Sequence, residues 1–435
     1  MPQNLEKNPQ TVVVETYGCS LNIADSESLI GFLKENGFFI SNNVEEADCV
    51  VINSCTVKNT SFLEFKKRIN DLKNTGKRIV VTGCIPPIYY DDSLLKDVSF
   101  IGTRNLSSIS GVVKNTIQGR IVQIIEETDK ERLCFPKVRK NPIVEIIPIA
   151  QGCLGQCSYC QTRFARGRLK SYSIEAILSR LKIALMEGVK EVWLTAQDTG
   201  AYGLDIGTNI VSLLKTILNL NSDFKLRLGM ANPHFIKSFI PELIAIFEDE
   251  RIFKFLHIPA QSGSNKILEE MQRNYTVEDL YKIAEIFRSR HPEISFATDI
   301  IVGFPGESEE DFEMSIEFLK RFNPAIVNRS RFSARRKTPA SQKKQLHSKI
   351  ISKRSRLLSK EIECIVSAQN KKWVNWEGEV LIDEQKKSDS FLGRNFAYKP
   401  IVIKKTDFLE PINLGAKINV RVLNSTTFHL VAKQI

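Results

Sequence analysis

The 435-residue chain lacks several features that would mark common protein classes. No apolar run approaches the roughly 20 residues that cross a bilayer, and residues 1–10 are polar, without a signal-peptide core. No G-x4-G-K-[ST] phosphate-binding loop is present. The five histidines occur in unrelated contexts, which argues against a Ser-His-Asp hydrolase. With 42% hydrophobic and 26% charged residues, the composition is that of an ordinary globular protein without a membrane partner.

Cysteine is the residue type that occurs in an informative pattern. The total of nine is odd, which argues against a secreted disulfide framework and favours the reducing cytoplasm. Three cysteines share one short loop, Cys153-Leu154-Gly155-Gln156-Cys157-Ser158-Tyr159-Cys160. The spacing C-x3-C-x2-C directs three thiolates to one side of a loop, and no fourth Cys or His lies nearby to complete a structural zinc site. Three thiolates on an iron–sulfur cubane would leave one iron open.

Three more cysteines each follow an apolar run that has the character of a buried strand. Cys19 follows residues 12–16, Cys55 follows 49–53, and Cys84 follows 78–82. Ligands of open parallel sheets gather outside the carboxyl ends of the strands, so these cysteines are expected to meet at one sheet edge as a second cluster site. The alternative is that they are small hydrophobic core residues. The other three cysteines lack the pattern and are interpreted as ordinary: Cys49, Cys134 and Cys364.

The cysteine loop 153–160 follows a predicted strand at 144–150 and precedes a helix expected to begin near Ser173. This arrangement resembles the radical S-adenosylmethionine (SAM) enzymes, in which SAM chelates the open iron, and an incomplete zinc site is the alternative. With both cysteine sets, the chain resembles the methylthiotransferase family. The resemblance is closest to its archaeal and eukaryotic branch, the tRNA N6-threonylcarbamoyladenosine methylthiotransferases. The resemblance covers nearly the whole chain, from about Thr11 to the C-terminus. The residues that carry the branch assignment are 152–160 with 165–167, and four further strings at 193–203, 205–209, 257–264 and 297–307.

The resemblance implies two [4Fe-4S] clusters and SAM as cofactors. One cluster would cleave SAM and be held by Cys153, Cys157 and Cys160. An auxiliary cluster would handle the sulfur to be inserted and be held by Cys19, Cys55 and Cys84. The implied substrate is N6-threonylcarbamoyladenosine in tRNA, with an external electron donor and a sulfur donor that the sequence does not identify. Rival functions are methylthiolation of isopentenyladenosine in tRNA or of a ribosomal-protein aspartate, and a non-catalytic iron–sulfur RNA-binding redox sensor.

One departure from the family pattern is visible in the sequence. The family tends to have Gly before Thr338-Pro339-Ala340, whereas Lys337 occupies that position here. The shape of this loop is therefore in question, although the implied activity is not.

Alternating strand and helix patterns predict an α/β fold. Residues 11–130 are expected to form a doubly wound parallel sheet, with Asp25-Ser26 capping its first helix. Residues 138–346 supply six βα units. This is too few for a closed eight-stranded barrel, so an open partial (βα)6 barrel is expected. A basic linker helix is predicted at 347–372. Residues 373–435 change to period-two patterning, which predicts a small antiparallel β-barrel of OB type.

The C-terminal segment also resembles the TRAM domain, an RNA-binding module. The resemblance depends on Gly378, Leu381, Gly393-Arg394 and Tyr398. Exposed Tyr and Phe side chains beside cations would stack on unpaired bases, although a small barrel also needs aromatic residues for its core.

The net charge of +11 is concentrated in one segment of the chain. Residues 335–372 contain twelve Lys and Arg residues against two Glu residues, and so carry +10 of the total. A charge run often means only a solvated helix face. Because nearly the whole excess lies in one segment, a polyanionic partner is favoured, and we predict tRNA.

The expected barrel mouth carries the remaining candidate contacts. Gln197 and Asp198 are candidates for hydrogen bonds to SAM or the substrate, and Gly303-Phe304 for a close backbone approach to the adenine of SAM. A self-capped polar loop and a simple turn are the respective alternatives. Just after the cysteine loop, one arginine could bind the threonyl carboxylate bidentately, although contacts with phosphate or solvent are equally open. The candidates are Arg163, Arg166 and Arg168. No side-chain acid or base is predicted to be catalytic.

Overall fold

The computed structural model describes residues 9–56, 59–126, 131–386 and 389–435. The chain divides into two compact units. The first contains Met1–Lys140, Gln151–Cys153 and Gln161–Arg168, and the second contains Asn141–Ala150, Leu154–Cys160 and Leu169–Ile435. The predicted end of the first domain at residue 130 lies outside the described residues. Within the described ranges, no helix combines the length and apolarity needed to span a bilayer.

The N-terminal region is built on a parallel sheet of six strands in the order β2-β1-β3-β4-β5-β6. Its strands are β1 (Thr11–Thr16), β2 (Phe39–Ile40), β3 (Cys49–Ser54), β4 (Arg78–Gly83), β5 (Ser99–Ile101) and β6 (Gln123–Ile124). Its helices are α1 (Ser20–Glu35), α2 (Asn59–Asn74), α3 (Pro86–Tyr89) and α4 (Ile109–Ile117).

Both faces of this sheet are covered, which confirms the doubly wound prediction. Strand β3 is buried along its whole length. Its alternate residues Cys49 and Val51 pack in a core with α1 and α4, while Val50 and Ile52 pack in a core with α2. A strand buried on both faces has a nearly continuous apolar sequence, which explains the run Cys-Val-Val-Ile. Cys49 is therefore a core residue, as the sequence suggested.

The predicted start of the first helix was wrong. Helix α1 begins at Ser20 with Cys19 as its N-cap, and Asp25 and Ser26 lie in its interior, buried. The carboxylate of Asp25 does not cap a helix because it is paired instead with Arg132 and Arg166.

Between residues 144 and 331 the chain alternates strands and helices. The strands are β7 (Val144–Pro148), β8 (Ala150–Gln151), β9 (Lys170–Ser171), β10 (Glu191–Thr195), β11 (Lys225–Leu228), β12 (Phe255–His257), β13 (Ser295–Val302) and β14 (Ile326–Arg331). The helices are α5 (Thr162–Arg166), α6 (Ile174–Met186), α7 (Ile210–Leu218), α8 (Pro233–Ile236), α9 (Ile240–Phe247), α10 (Asn265–Glu270), α11 (Val277–Arg290) and α12 (Glu309–Phe322).

Six of these strands form the predicted partial barrel. They are arranged as two parallel sheets, β7-β10-β11 and β12-β13-β14, and a bridge between Leu226 and Ile252 continues the pairing from β11 toward β12. Among the described residues, no pairing joins β7 to β14, so the barrel is open. Thr276 and Ser308 each form a capping box at the start of α11 and α12.

The basic segment forms the 24-residue helix α13 (Ser348–Lys371), and a closed five-stranded barrel follows. Its strands are β15 (Glu377–Lys386), β16 (Ser390–Arg394), β17 (Pro400–Lys404), β18 (Lys417–Ser425) and β19 (Leu430–Gln434). The order β15-β16-β17-β19-β18 has antiparallel pairs except for β17 with β19, which are parallel. The five-stranded barrel agrees with the OB-type prediction.

Candidate iron–sulfur sites and their surroundings

Cys19, Cys55 and Cys84 follow three strands that are direct neighbours in the sheet, β1, β3 and β4. In a sheet of this order, the carboxyl ends of β1 and β3 form the switch point where ligands bind. Backbone hydrogen bonds tie the three loops together. Tyr17 N donates to Asn53 O at 2.9 Å, and Cys84 N donates to Ser54 O at 2.9 Å. The prediction that these cysteines follow strands at one sheet edge is therefore confirmed.

The loops that carry this triad approach one another closely. Gly18 has φ +111°, and a Cβ added there would lie 2.8 Å from Cys55 Cβ, so only glycine lets the first loop pass this near to the second. Burial raises the pKa of the Cys84 thiol to about 12; Cys55 and Cys19 act in the same direction, and Arg166 opposes them. Cys55 and Cys84 are buried and Cys19 is exposed.

Arg166 is a buried guanidinium beside this triad. Its Nη2 donates to Asn22 Oδ1 at 2.8 Å and to Asp25 Oδ2 at 2.9 Å. Its Nε and Nη1 have no hydrogen-bond partner among the described residues. Although burial opposes the charged form, Asp25, Cys84 and Cys19 raise the pKa of Arg166. A buried donor without a partner costs about 1–3 kcal/mol, so two such donors beside three thiols fit an acceptor other than the residues that the structure describes.

The second cysteine set lies in the loop between β8 and α5, and all three thiols are partly exposed. Cys153 N donates to Gly167 O at 3.3 Å, while Cys160 N donates to Cys157 O at 3.1 Å. An all-thiol donor set suits an iron–sulfur cluster. Among the described residues, no group of three or more His, Cys, Asp or Glu side chains is arranged to hold a single metal ion.

Arg273, which the sequence did not single out, contacts this loop. Its Nη1 donates to Cys157 Sγ at 3.1 Å, and its Nε donates to Tyr275 Oη at 2.7 Å. Tyr275 Oη in turn donates to Pro259 O at 2.8 Å, which fixes the tyrosine. The guanidinium is therefore positioned by Cys157 at Nη1 and by Tyr275 at Nε. A buried cation beside a cysteine sulfur stabilises negative charge on that sulfur. No local pattern identifies this arginine, because 116 residues separate it from Cys157.

The predicted SAM contacts have defined protein partners in the structure. Asp198 Oδ1 accepts hydrogen bonds from Gly200 N and Asn232 N, both at 3.0 Å, and burial raises the pKa of this carboxyl. Gly303 N donates to Glu307 Oε2 at 2.9 Å. Phe304 is fully buried, and Gln197 is partly exposed. Their contacts with SAM stay a prediction.

Three further sequence interpretations are modified by the structure. Lys337, where the family tends to have Gly, has φ +66°, so the loop keeps the left-handed backbone that favours glycine. Arg166 is too buried to contact a substrate carboxylate, which leaves Arg163 and Arg168. Tyr398, one of the residues of the TRAM resemblance, is buried with its ring 4.8 Å from that of Phe253, so it is a core aromatic rather than one of the exposed rings expected to stack on RNA.

Comparisons with known proteins agree with this architecture. The radical SAM superfamily matches residues 147–319, and "Uncharacterized protein family UPF0004" matches residues 11–101. The chain is similar to a radical SAM methyltransferase, TsrM, from Kitasatospora setae, with a TM-score of 0.55 and 15% identity, covering 77% of this chain and 75% of that one. At this identity, the likeness concerns the fold.

Curated relatives match almost the whole length of the chain. The "probable threonylcarbamoyladenosine tRNA methylthiotransferase" of Pyrococcus horikoshii is 39% identical over 98% of this chain and 99% of its own. The threonylcarbamoyladenosine tRNA methylthiotransferase of Homo sapiens is 36% identical over 96% of this chain and 72% of its own. The chain therefore belongs to the threonylcarbamoyladenosine tRNA methylthiotransferase family, within the radical SAM superfamily.

Proposed function

We propose that this protein converts N6-threonylcarbamoyladenosine, beside the anticodon of tRNA, to its 2-methylthio derivative. The observation that carries the proposal is that two consecutive residues, Arg166 and Gly167, each interact with one of the two cysteine sets. Arg166 reaches the side-chain network of Cys19 and Cys84, and the carbonyl of the next residue, Gly167, accepts a hydrogen bond from Cys153. A methylthiolating enzyme needs a SAM-cleaving centre and a sulfur-handling centre, and within the first compact unit this two-residue segment interacts with cysteines of both sets.

The chemistry proposed for the two sites comes from cofactors. When bound, a [4Fe-4S] cluster with SAM supplies the one-electron chemistry that opens the inert C2–H bond of adenine, and an auxiliary cluster supplies the sulfur centre. We propose that Cys153, Cys157 and Cys160 hold the first cluster. The thiolates proposed for the auxiliary cluster are those of Cys19, Cys55 and Cys84.

The protein's own groups position and polarise these centres. Arg273 donates to Cys157 Sγ and is fixed by Tyr275, so a positive charge stands at the SAM-cluster ligand. Arg166 provides a buried positive charge at the auxiliary triad, and its Nε and Nη1 have no hydrogen-bond partner in the part of the chain that the structure describes. Such preorganised donors stabilise anionic sulfur without reorganising.

The RNA-binding surface that we propose includes an exposed row of cations on α13. Their spacing of four, three and four residues places them on one helix face: Lys349, Lys353, Arg356 and Lys360. Two other cations of the basic segment are buried and unsuited to bind RNA. Arg354 donates to Glu307 Oε2 at 2.7 Å, and Arg335 is only 8% exposed. In the tail, the aromatic side chain suited to stacking is Phe428, which is 77% exposed.

An external electron donor is required, and the sulfur donor is unidentified. We expect the reaction to occur in a reducing compartment, the cytoplasm, because six of the nine cysteines are proposed cluster ligands.

The test is a competition among tRNAs that carry threonylcarbamoyl-, isopentenyl- or unmodified adenosine at the target position. We expect nucleoside mass spectrometry to detect methylthio product from the threonylcarbamoyl form. Preferential reaction of the isopentenyl form would overturn the proposed substrate, and modification of a ribosomal-protein aspartate instead would overturn tRNA as the acceptor. Failure of the reconstituted protein to release 5′-deoxyadenosine from SAM would favour the redox-sensor alternative.

A further inference from the structure

A cavity of about 630 Å³ opens beside the segment that follows the cysteine loop. It is lined by Arg104, Arg163, Phe164, Gly167 and Arg168. Its volume is within the range of small-ligand sites. Three of the five lining residues are arginines, and none is acidic. Among the described residues, no carboxylate pairs with Arg163 or Arg168. The cavity therefore suits an anionic ligand.

Two details describe the walls of the cavity. Gly167 has φ +79°, a left-handed backbone that favours glycine, and the Arg104 guanidinium packs directly against it. Phe164 is 47% exposed, so the face of its ring is accessible to a ligand in the cavity. A ring flanked by arginines can pack against a planar carbamoyl or base while the guanidinium groups bind the anion.

The position of the cavity limits what its ligand can be. Gly167 lines the cavity, and its carbonyl accepts the hydrogen bond from Cys153 N at 3.3 Å. A group bound there is thus next to the first cysteine of the SAM-cluster loop. The anionic group that must lie near that centre, if the proposed function holds, is the carboxylate at the end of the base's side chain.

We infer that this cavity binds the threonyl carboxylate of the substrate base, an inference that rests on the proposed function. Arg163 and Arg168 bind the carboxylate, Arg104 completes the positive wall, and Phe164 packs against the planar carbamoyl group. The cavity then determines the choice of modified base, because an apolar isopentenyl group would leave these cations desolvated and unpaired.

The experiment measures binding of reconstituted holoenzyme to three anticodon stem-loops that differ only at the target adenosine. One carries the threonylcarbamoyl group, one its neutral methyl ester, and one is unmodified. The variants are Arg163→Gln, Arg168→Gln and Phe164→Leu. Arg120→Gln is the matched control, because Arg120 is exposed and does not line the cavity.

We expect the wild type to bind the acid form about ten- to a hundredfold more tightly than the methyl ester, the range of charge-assisted hydrogen bonds. Each arginine variant should reduce that ratio about tenfold or more, with the affinity for unmodified RNA unchanged within about twofold, and Arg120→Gln should keep the ratio. Phe164→Leu should weaken both modified forms and spare the unmodified one.

If the arginine variants weakened the binding of all three RNAs equally, the cavity would hold an RNA phosphate, and the inference would be overturned. An unchanged ratio of the affinities for the acid and the methyl ester would overturn it as well. Iron content and far-UV circular dichroism confirm that each variant is folded. Wild-type turnover is recorded in parallel. A wild type that discriminates between the RNAs but forms no methylthio product contradicts the proposed function alone.

Discussion

Replacing Arg166 with Met should change the electrostatics of the auxiliary triad without changing its ligands. Met has a similar length and volume but no charge. Because Arg166 is 1% exposed, no water can replace the lost guanidinium without rearrangement. Asp25 keeps a partner in this variant, since Arg132 also bonds to its carboxylate.

The magnitude of the effect follows from Coulomb's law. A unit charge about 5 Å from a redox centre contributes roughly 1–3 kcal/mol at effective dielectric constants between that of water and about 20. For a one-electron couple this is about 40–130 mV. Removing positive charge disfavours the reduced, more negative state, so the reduction potential of the auxiliary cluster should fall by that amount. Losing a buried ion-pair partner costs about 3–5 kcal/mol when the other charge is stranded. The remaining Arg132 should limit the loss of folding stability to about 1–3 kcal/mol.

The assay is a spectroscopic redox titration in a background where Cys153, Cys157 and Cys160 are replaced by Ala, so that only the auxiliary cluster contributes. Arg132→Met is the matched control, because it removes the other guanidinium from Asp25, while Arg166 is the arginine that affects the Cys84 thiol. We expect a lower potential in Arg166→Met and the wild-type value in Arg132→Met. Equal potentials in the two variants would refute the reasoning, since the charge at Arg166 would then have no effect on the cluster.

The other predictions can be checked independently. Alanine at Cys153, Cys157 or Cys160 should abolish 5′-deoxyadenosine formation from SAM. Alanine at Cys19, Cys55 or Cys84 should instead retain SAM cleavage and abolish the methylthio product, so mutants of the first set that cleave SAM normally would contradict the proposed ligands. Gln at all four exposed α13 cations (Lys349, Lys353, Arg356 and Lys360) should lower the slope of log affinity against log salt by about 3–4 in tRNA binding; an unchanged slope would place the RNA elsewhere. Burial, with Asp383 adding to it, raises the pKa of Glu191 to about 7. The stability that its protonation contributes is present below the unfolded pKa near 4.5 and lost as pH rises through about 7, so Glu191→Gln should melt a few degrees above wild type at pH 8 and show little gain at pH 5. Lys337→Gly should stabilise the fold by up to about 1 kcal/mol in denaturant unfolding, because it relieves the left-handed backbone at φ +66°; a destabilised variant would mean that the lysine side chain stabilises the loop.

Local patterns in the sequence were sufficient for the fold and for the placement of the cysteines. Apolar runs identified the strands that precede Cys19, Cys55 and Cys84, and parallel strand order brings such residues to one sheet edge. The capping boxes of Thr276 and Ser308 are likewise local, because each is complete within four residues. These signals depend only on residues that are close in sequence, so they can be interpreted without knowledge of the tertiary structure.

Only the tertiary structure decided which polar side chains surround the cysteines. Asp25 resembled a helix cap in sequence, yet it pairs with Arg166, which is 141 residues away. Arg273 contacts Cys157 across 116 residues, and Tyr398 is buried against Phe253, whereas the sequence left open whether the aromatic residues of the tail are exposed or in the core. The position of a charged or aromatic side chain depends on which distant elements pack beside it. It also depends on whether burial leaves the side chain an ion-pair or hydrogen-bond partner. Periodicity along the chain carries no information about either condition.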